Sequence, residues 1–123
     1  MGLDQVAFAL ENDTELGSDK ALEEQEDIIT WRKHPNLQGY MEKLWRSRGG
    51  EGEFNCVAVE LRKQDIYALR SAIQGKNLPE TQGFFYGSDS DYYYLEDDLL
   101  FCSIALERIK ACKKIYYSSW WYS

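Results

Sequence analysis

The residues best suited to chemistry stand together at Trp31, Arg32, Lys33, His34, Pro35 and Asn36. His34 is the single histidine, and imidazole changes charge near neutral pH, which makes it a candidate acid or base. Arg32 and Lys33 supply positive charge. Pro35 suits the first turn of a helix, where its missing N–H costs nothing. A helix beginning there aims free backbone N–H groups and positive potential at an anion. Trp31, Arg32, Lys33, His34 and Asn36 are therefore the candidate ligand-binding residues, with Glu53 and Asn55 as further polar groups, and an anionic metabolite is the ligand class. The competing reading is structural: Arg32 and Lys33 pair with the acidic segment 11–27, while His34 or Asn36 caps the helix. No Ser, Cys or Asp stands near His34 in a recognised order, so no triad is indicated and no catalytic residue is assigned.

Other segments carry weaker signals. Gly83 and Gly87 bracket Phe84, Phe85 and Tyr86, but a phosphate loop needs a Gly-Lys-Ser/Thr ending or three closely spaced glycines. Tight turns about a short strand explain these two better. Asp89, Asp91, Glu96, Asp97 and Asp98 lack the central Gly and terminal Glu of a calcium loop. Acids at a helix start are expected from the macrodipole. Cys56, Cys102 and Cys112 are an odd set without metal-ligand spacing, and they read as free, mostly buried thiols. No metal and no cofactor is expected. Tyr92, Tyr93 and Trp120 belong to two aromatic runs that suit a partner's side chains better than a nucleobase, because positive charge around them is scarce.

Composition narrows the classes further. With 14 basic against 21 acidic residues the chain carries −7, which opposes binding to nucleic acid through its phosphates. A hydrophobic fraction of 44% with 15% aromatic residues supports a packed core rather than disorder. A chain of 123 residues is of one-domain length and buries roughly two-thirds of its unfolded surface. No apolar stretch approaches the ~20 residues of a membrane span, and the opening Met1-Gly2-Leu3-Asp4 lacks the regions of a signal peptide. Neither membrane nor nucleic acid is an expected partner, and a cytoplasmic location is expected.

The elements that must position these residues follow from apolar periodicity. Val6, Phe8 and Leu10 alternate, predicting a strand over 5–10. Residues 11–27 read as an exposed acidic loop with a short helix around 20–25. Residues 28–32 suit a second strand. Leu37, Tyr40, Met41, Leu44 and Trp45 fall on one helical face, ending at Gly49 and Gly50. Residues 54–61 alternate through Val57, Val59 and Leu61. Lys63–Gln74 is helical, with Gly75 as the stop. Leu95, Leu99, Cys102, Leu106 and Ile109 define one face of a long helix over 93–111. The chain closes on a strand over 114–122 with aromatics on both sides, so both faces should be covered. The expected fold is α+β: a small mixed or antiparallel sheet of four to five short strands with about three helices packed on it, in one domain.

Taken in order, several segments resemble a family of small tailed-bacteriophage proteins, cyanobacterial phages included. They are the Met1-Gly2-Leu3-Asp4 opening, the Trp31-Arg32-Lys33 junction and the Leu78-Pro79-Glu80-Thr81-Gln82-Gly83-Phe84-Phe85-Tyr86-Gly87 segment. The acidic-aromatic residues 92–98 and the closing Tyr116-Tyr117-Ser118-Ser119-Trp120 complete the series. The resemblance implies a phage origin and carries no activity. A phosphoglycerate kinase label borne by some relatives finds no counterpart here, since the chain is short and lacks a nucleotide-binding glycine loop. The expected function is that of a non-enzymatic accessory protein that binds a host protein or modulates host physiology. The alternative is a small ligand-binding or enzymatic domain acting at residues 31–36.

Overall fold

The computed structural model describes residues 2–79 and 91–122. The strand expected at Phe84, Phe85 and Tyr86, with Gly83, Gly87 and Asp89, lies outside the described residues. So do the side chains of Asp91, Tyr92 and Tyr93.

Two long strands form the centre of the molecule. Strand β1 (Gly2–Glu11) pairs antiparallel with β4 (Lys113–Tyr122) along its whole length, from Gly2 opposite Tyr122 to Glu11 opposite Lys113. Strand β2 (Glu26–Arg32) adds to the free side of β1, and β3 (Ala58–Leu61) to the free side of β4, giving the order β2-β1-β4-β3. Every pairing is antiparallel. The short α1 (Asp19–Glu24) stands between β1 and β2 and is capped by the Ser18 hydroxyl, which accepts from Ala21 N. Three longer helices complete the α+β fold: α2 (Pro35–Ser47), α3 (Lys63–Gln74) and α4 (Asp91–Lys110).

The pleat sorts β1 onto two faces. Ala7 and Ala9 point into the main core, where small side chains let Leu37 and Met41 of α2, Ile66, Leu69 and Ile73 of α3, and Phe101 and Ala105 of α4 come down onto the sheet. Ile115 and Tyr117 of β4 join them. Val6, Phe8 and Leu10 face the other way and form a smaller cluster with Tyr116 and Ala21, so α1 shields part of the second face. The coverage expected for both sides of β4 therefore holds through Tyr117 and stops short of Trp120, which is 41% exposed. A bulge opposite Ala7 and Phe8 sets one extra residue in β2, and with it both Ile28 and Ile29 pack against the main core.

Some boundaries differ from the periodicity. The expected strand over 54–61 shortens to β3 because Cys56 adopts left-handed backbone (φ 61°), which an extended strand does not accommodate. The segment before it still reaches β4 by other means. Cys56 N donates to Ser119 O at 2.9 Å, and the Asn55 carboxamide bonds both N and O of Trp121 at 3.0 and 3.1 Å. Helix α2 ends as expected. Gly49 is left-handed (φ 92°), and at Gly50 a Cβ would stand 2.3 Å from the Trp45 ring. The thiols are free, but only Cys102 is buried, because Cys56 and Cys112 sit in left-handed turns at the surface.

Candidate functional site

The strand-to-helix junction splits the candidate residues between two sides of the sheet. Strand alternation puts Trp31 on the core face and Arg32 on the opposite one. Lys33 then takes left-handed backbone (φ 57°), its N donating to Leu3 O at 2.9 Å, and turns the chain toward α2. His34 follows at the N-cap position of α2, fully buried, and its side chain makes no capping bond.

Several polar groups of this junction have partners drawn from distant elements. His34 Nε2 lies 2.7 Å from Asp98 Oδ2, and the Trp31 indole N–H donates to Asp98 Oδ1 at 2.9 Å. The Tyr94 ring stacks on the imidazole, centroids 4.6 Å apart, while its hydroxyl bonds the Arg32 carbonyl. Gln5, at the middle of the core face, holds the backbone of His34 by both amide atoms: Oε1 accepts from His34 N at 2.9 Å and Nε2 donates to His34 O at 3.0 Å. The same Nε2 donates to the Tyr117 hydroxyl at 2.8 Å, and that hydroxyl donates to Gln38 Oε1 at 2.6 Å. Gln5, His34, Gln38, Asp98 and Tyr117 are all within 1% of full burial. Low dielectric strengthens these bonds and makes any unpaired member costly, so the network fixes how α2 and α4 seat on β1 and β4.

A proton must lie between His34 Nε2 and Asp98 Oδ2 at their separation. Burial pushes the Asp98 carboxyl above its ordinary range, while the hydrogen bond and charge of His34 and the Trp31 N–H pull it down and Asp97 pushes it further up. Burial likewise pushes the Cys102 thiol up to about 12, with Asp98 adding to the effect and Arg70 opposing it. A histidine and a carboxylate in contact have the makings of an acid–base pair. Here both are shut off from solvent, at 0% and 2% side-chain exposure, and the ring is stacked and bonded in place.

Arg32, Lys33 and His34 thus do not converge on one pocket. Arg32 extends into solvent and pairs with Asp4 at 3.5 Å rather than with residues 11–27. Lys33 is exposed, Trp31 is a core ring set edge-on to Phe101, and Asn36 is buried. Glu53 is exposed, and Asn55 is occupied by Trp121. What the sheet does bring together is Arg32 and Trp120. Asp4 pairs with Arg32 on one side and with Trp120 on the other, so the three form a row across β2, β1 and β4 on the face away from α2, α3 and α4. Side-chain exposure along it is 81% for Arg32 and 29% for Asp4.

Asp98 was masked in the sequence by its acidic neighbours. It is not a first-turn acid: it lies well inside α4, where Asp98, Phe101, Cys102 and Ala105 form the buried stripe. The expected stripe of Leu95, Leu99, Leu106 and Ile109 flanks it, partly buried. Spacing could not single out Asp98, because Asp97 also has apolar residues at i+3, i+4 and i+7 and yet is exposed. A carboxylate on an apolar face requires a partner, and packing decides which acid takes one. Among the described residues no cluster of His, Cys, Asp and Glu is arranged to hold a metal ion, and no helix is long and apolar enough to cross a membrane. Fold and site together define an α+β protein with a four-stranded antiparallel sheet and a sealed histidine–aspartate pair. Comparison with protein-family models, with curated proteins and with solved structures found no match for the chain.

Proposed function

We propose that this chain is a phage-encoded accessory protein that acts in the host cytoplasm by binding a host protein, without catalysing a reaction. The observation that carries this reading is the division of the junction. Its one acid–base pair is built into the core, and its one arginine is presented on the same sheet face as an exposed tryptophan, with Asp4 between them. Arg and Trp are the residue types that most often dominate binding energy at protein interfaces. The Arg32–Asp4–Trp120 row offers both on a rigid sheet, so little conformational freedom is lost on docking. What supports it over a metabolite site at residues 31–36 is that His34 faces inward while Arg32 and Lys33 face out.

The test is quantitative capture from host lysate with the immobilised protein, followed by titration of the recovered partner against variants. Trp120→Ala should weaken binding by about 2 kcal/mol, roughly thirtyfold in Kd, and Arg32→Glu by a comparable amount. Both variants should keep the wild-type melting temperature. Unchanged affinity in both would sink the proposed surface. A His34→Gln protein that folds normally but fails to support infection would instead point to chemistry at the histidine.

A further inference from the structure

A depression on the described surface lies neither at the junction nor on the Trp120 face, but between α3 and α4. Its volume is about 540 Å³, and it is lined by Lys63, Tyr67, Leu106, Glu107, Ile109 and Lys110. The start of α3 meets the end of α4 here, so the Tyr67 ring and the aliphatic chains of Leu106 and Ile109 make an apolar floor with a lysine from each helix beside it. That volume lies within the range of small-molecule sites, which pair a mostly apolar lining with a few placed polar groups.

The lining carries a local excess of positive charge. The chain carries −7 overall, yet here two lysines face one carboxylate, Glu107. Among the described residues neither Lys63 nor Lys110 takes part in an ion pair, as is also true of Arg62, Arg70 and Lys114 nearby and of Lys33 and Lys43 elsewhere. The Lys63 ammonium lies 6.0 Å from the centroid of the Tyr67 ring and the Arg70 guanidinium 5.1 Å from it, so that ring gathers cations at the mouth. A second depression of about 290 Å³ adjoins the first, sharing Lys63 and Ile109 and adding Arg62 and Lys114. Glu60 also lines this second depression, and along this end of the helices basic residues outnumber acidic ones. In a molecule whose remaining field repels anions, such a spot concentrates them.

We infer that the depression between α3 and α4 is a binding site for a small amphipathic anion. The ligand is an organic carboxylate or phosphate monoester whose aromatic or short alkyl body lies on Tyr67, Leu106 and Ile109. Its charged group meets Lys63 and Lys110. The volume of about 540 Å³ suits a small molecule, and the apolar floor favours an organic anion over an inorganic one. The site lies on the helical side of the sheet, opposite the Trp120 face, so it stands or falls independently of the partner surface.

The experiment is an NMR titration of the full chain with phenyl phosphate, octanoate and inorganic phosphate, each to about 10 mM, a range that detects millimolar Kd values. Saturable shifts are expected at Lys63, Tyr67, Leu106, Ile109 and Lys110 with phenyl phosphate or octanoate, and whichever binds more tightly identifies the headgroup. Inorganic phosphate should bind at least about tenfold more weakly. Lys63→Glu and Lys110→Glu, both at exposed positions, should each weaken the organic anion about five- to tenfold and leave the spectrum otherwise folded. Equal binding of inorganic phosphate would overturn the amphipathic class. Absence of shifts with both organic anions, unchanged affinity in both variants, or occupancy only by a longer acidic peptide would overturn the site.

Discussion

At the scale of single residues, burial decides what each reactive group does. His34 and Asp98 compensate one another in the core, and removing the imidazole leaves the buried carboxyl with the Trp31 N–H but without its histidine partner. His34→Ala should therefore cost about 3–5 kcal/mol, whereas Trp120→Ala on the open face should cost no more than about 0.5 kcal/mol. Urea midpoints of the two variants give the comparison, and equal costs would contradict the sealed pair. Asp98 also sets a pH dependence. Its folded pKa is raised, chiefly by burial, so the folded protein holds the carboxyl proton more tightly than the unfolded chain. Its contribution to stability is complete below the ordinary carboxyl pKa of about 4 and is lost as pH rises through the folded value. His34, Trp31, Asp97 and Cys102 are the groups that face it. In Asp98→Asn, stability relative to the parent should rise across that window and be flat outside it. A difference that falls with pH would reverse the assignment. Cys102, pushed up to about 12 and buried, should ignore a thiol reagent at pH about 8 in the native protein. The exposed Cys56 and Cys112 should react at once, and Cys102 only on unfolding.

At the scale of elements, side-chain amides do what backbone cannot. Gln5 seats the first turn of α2 on β1 by bonding both backbone groups of His34, and Asn55 continues the pairing along β4 where Cys56 has broken β3. Tyr117 links the first of these to Gln38 of α2. Tyr117→Phe keeps the ring contacts with Trp31 and Phe54 but leaves Gln38 Oε1 without this donor. The expected loss is about 1–3 kcal/mol, measured by chemical denaturation with an unchanged slope. A neutral effect would mean the amide finds another donor. At the end of α2, Gly50→Ala drives a methyl group into the Trp45 ring and should cost about 1–3 kcal/mol.

At the scale of the molecule, stability is concentrated in the central strand pair. β1 and β4 run together for their whole length under the main core, while β2 and the short β3 are edges. Amides of β1 and β4 should exchange with solvent only by global unfolding, and those on the outer side of β3 much sooner. Uniform protection across the sheet would contradict that ordering. The charge distribution is likewise a whole-molecule property. Acidic residues dominate the sequence, yet the fold collects lysines from α3 and α4 at one end and sets arginine and tryptophan, with Asp4 between them, on the opposite face.

The amino-acid sequence by itself determined which segments become strands and which become helices. Alternation over Val6, Phe8 and Leu10, the 3–4 spacing from Leu37 to Trp45, and the helical run Lys63–Gln74 stopped by Gly75 are local patterns that any compact fold must satisfy. The α+β class followed from their order. Local pattern could not show which residues meet across the chain. His34 and Asp98 are 64 positions apart, Gln5 and Tyr117 are 112 apart, and Asp98 had the same local character as the acids around it. Only the packing of α4 over β2 and β1 turned one of those acids inward and made a histidine at a promising junction part of the core. The same pairing of strands set Arg32 and Trp120 on either side of Asp4, because register across a sheet is fixed by which faces bury apolar side chains and not by the residues themselves.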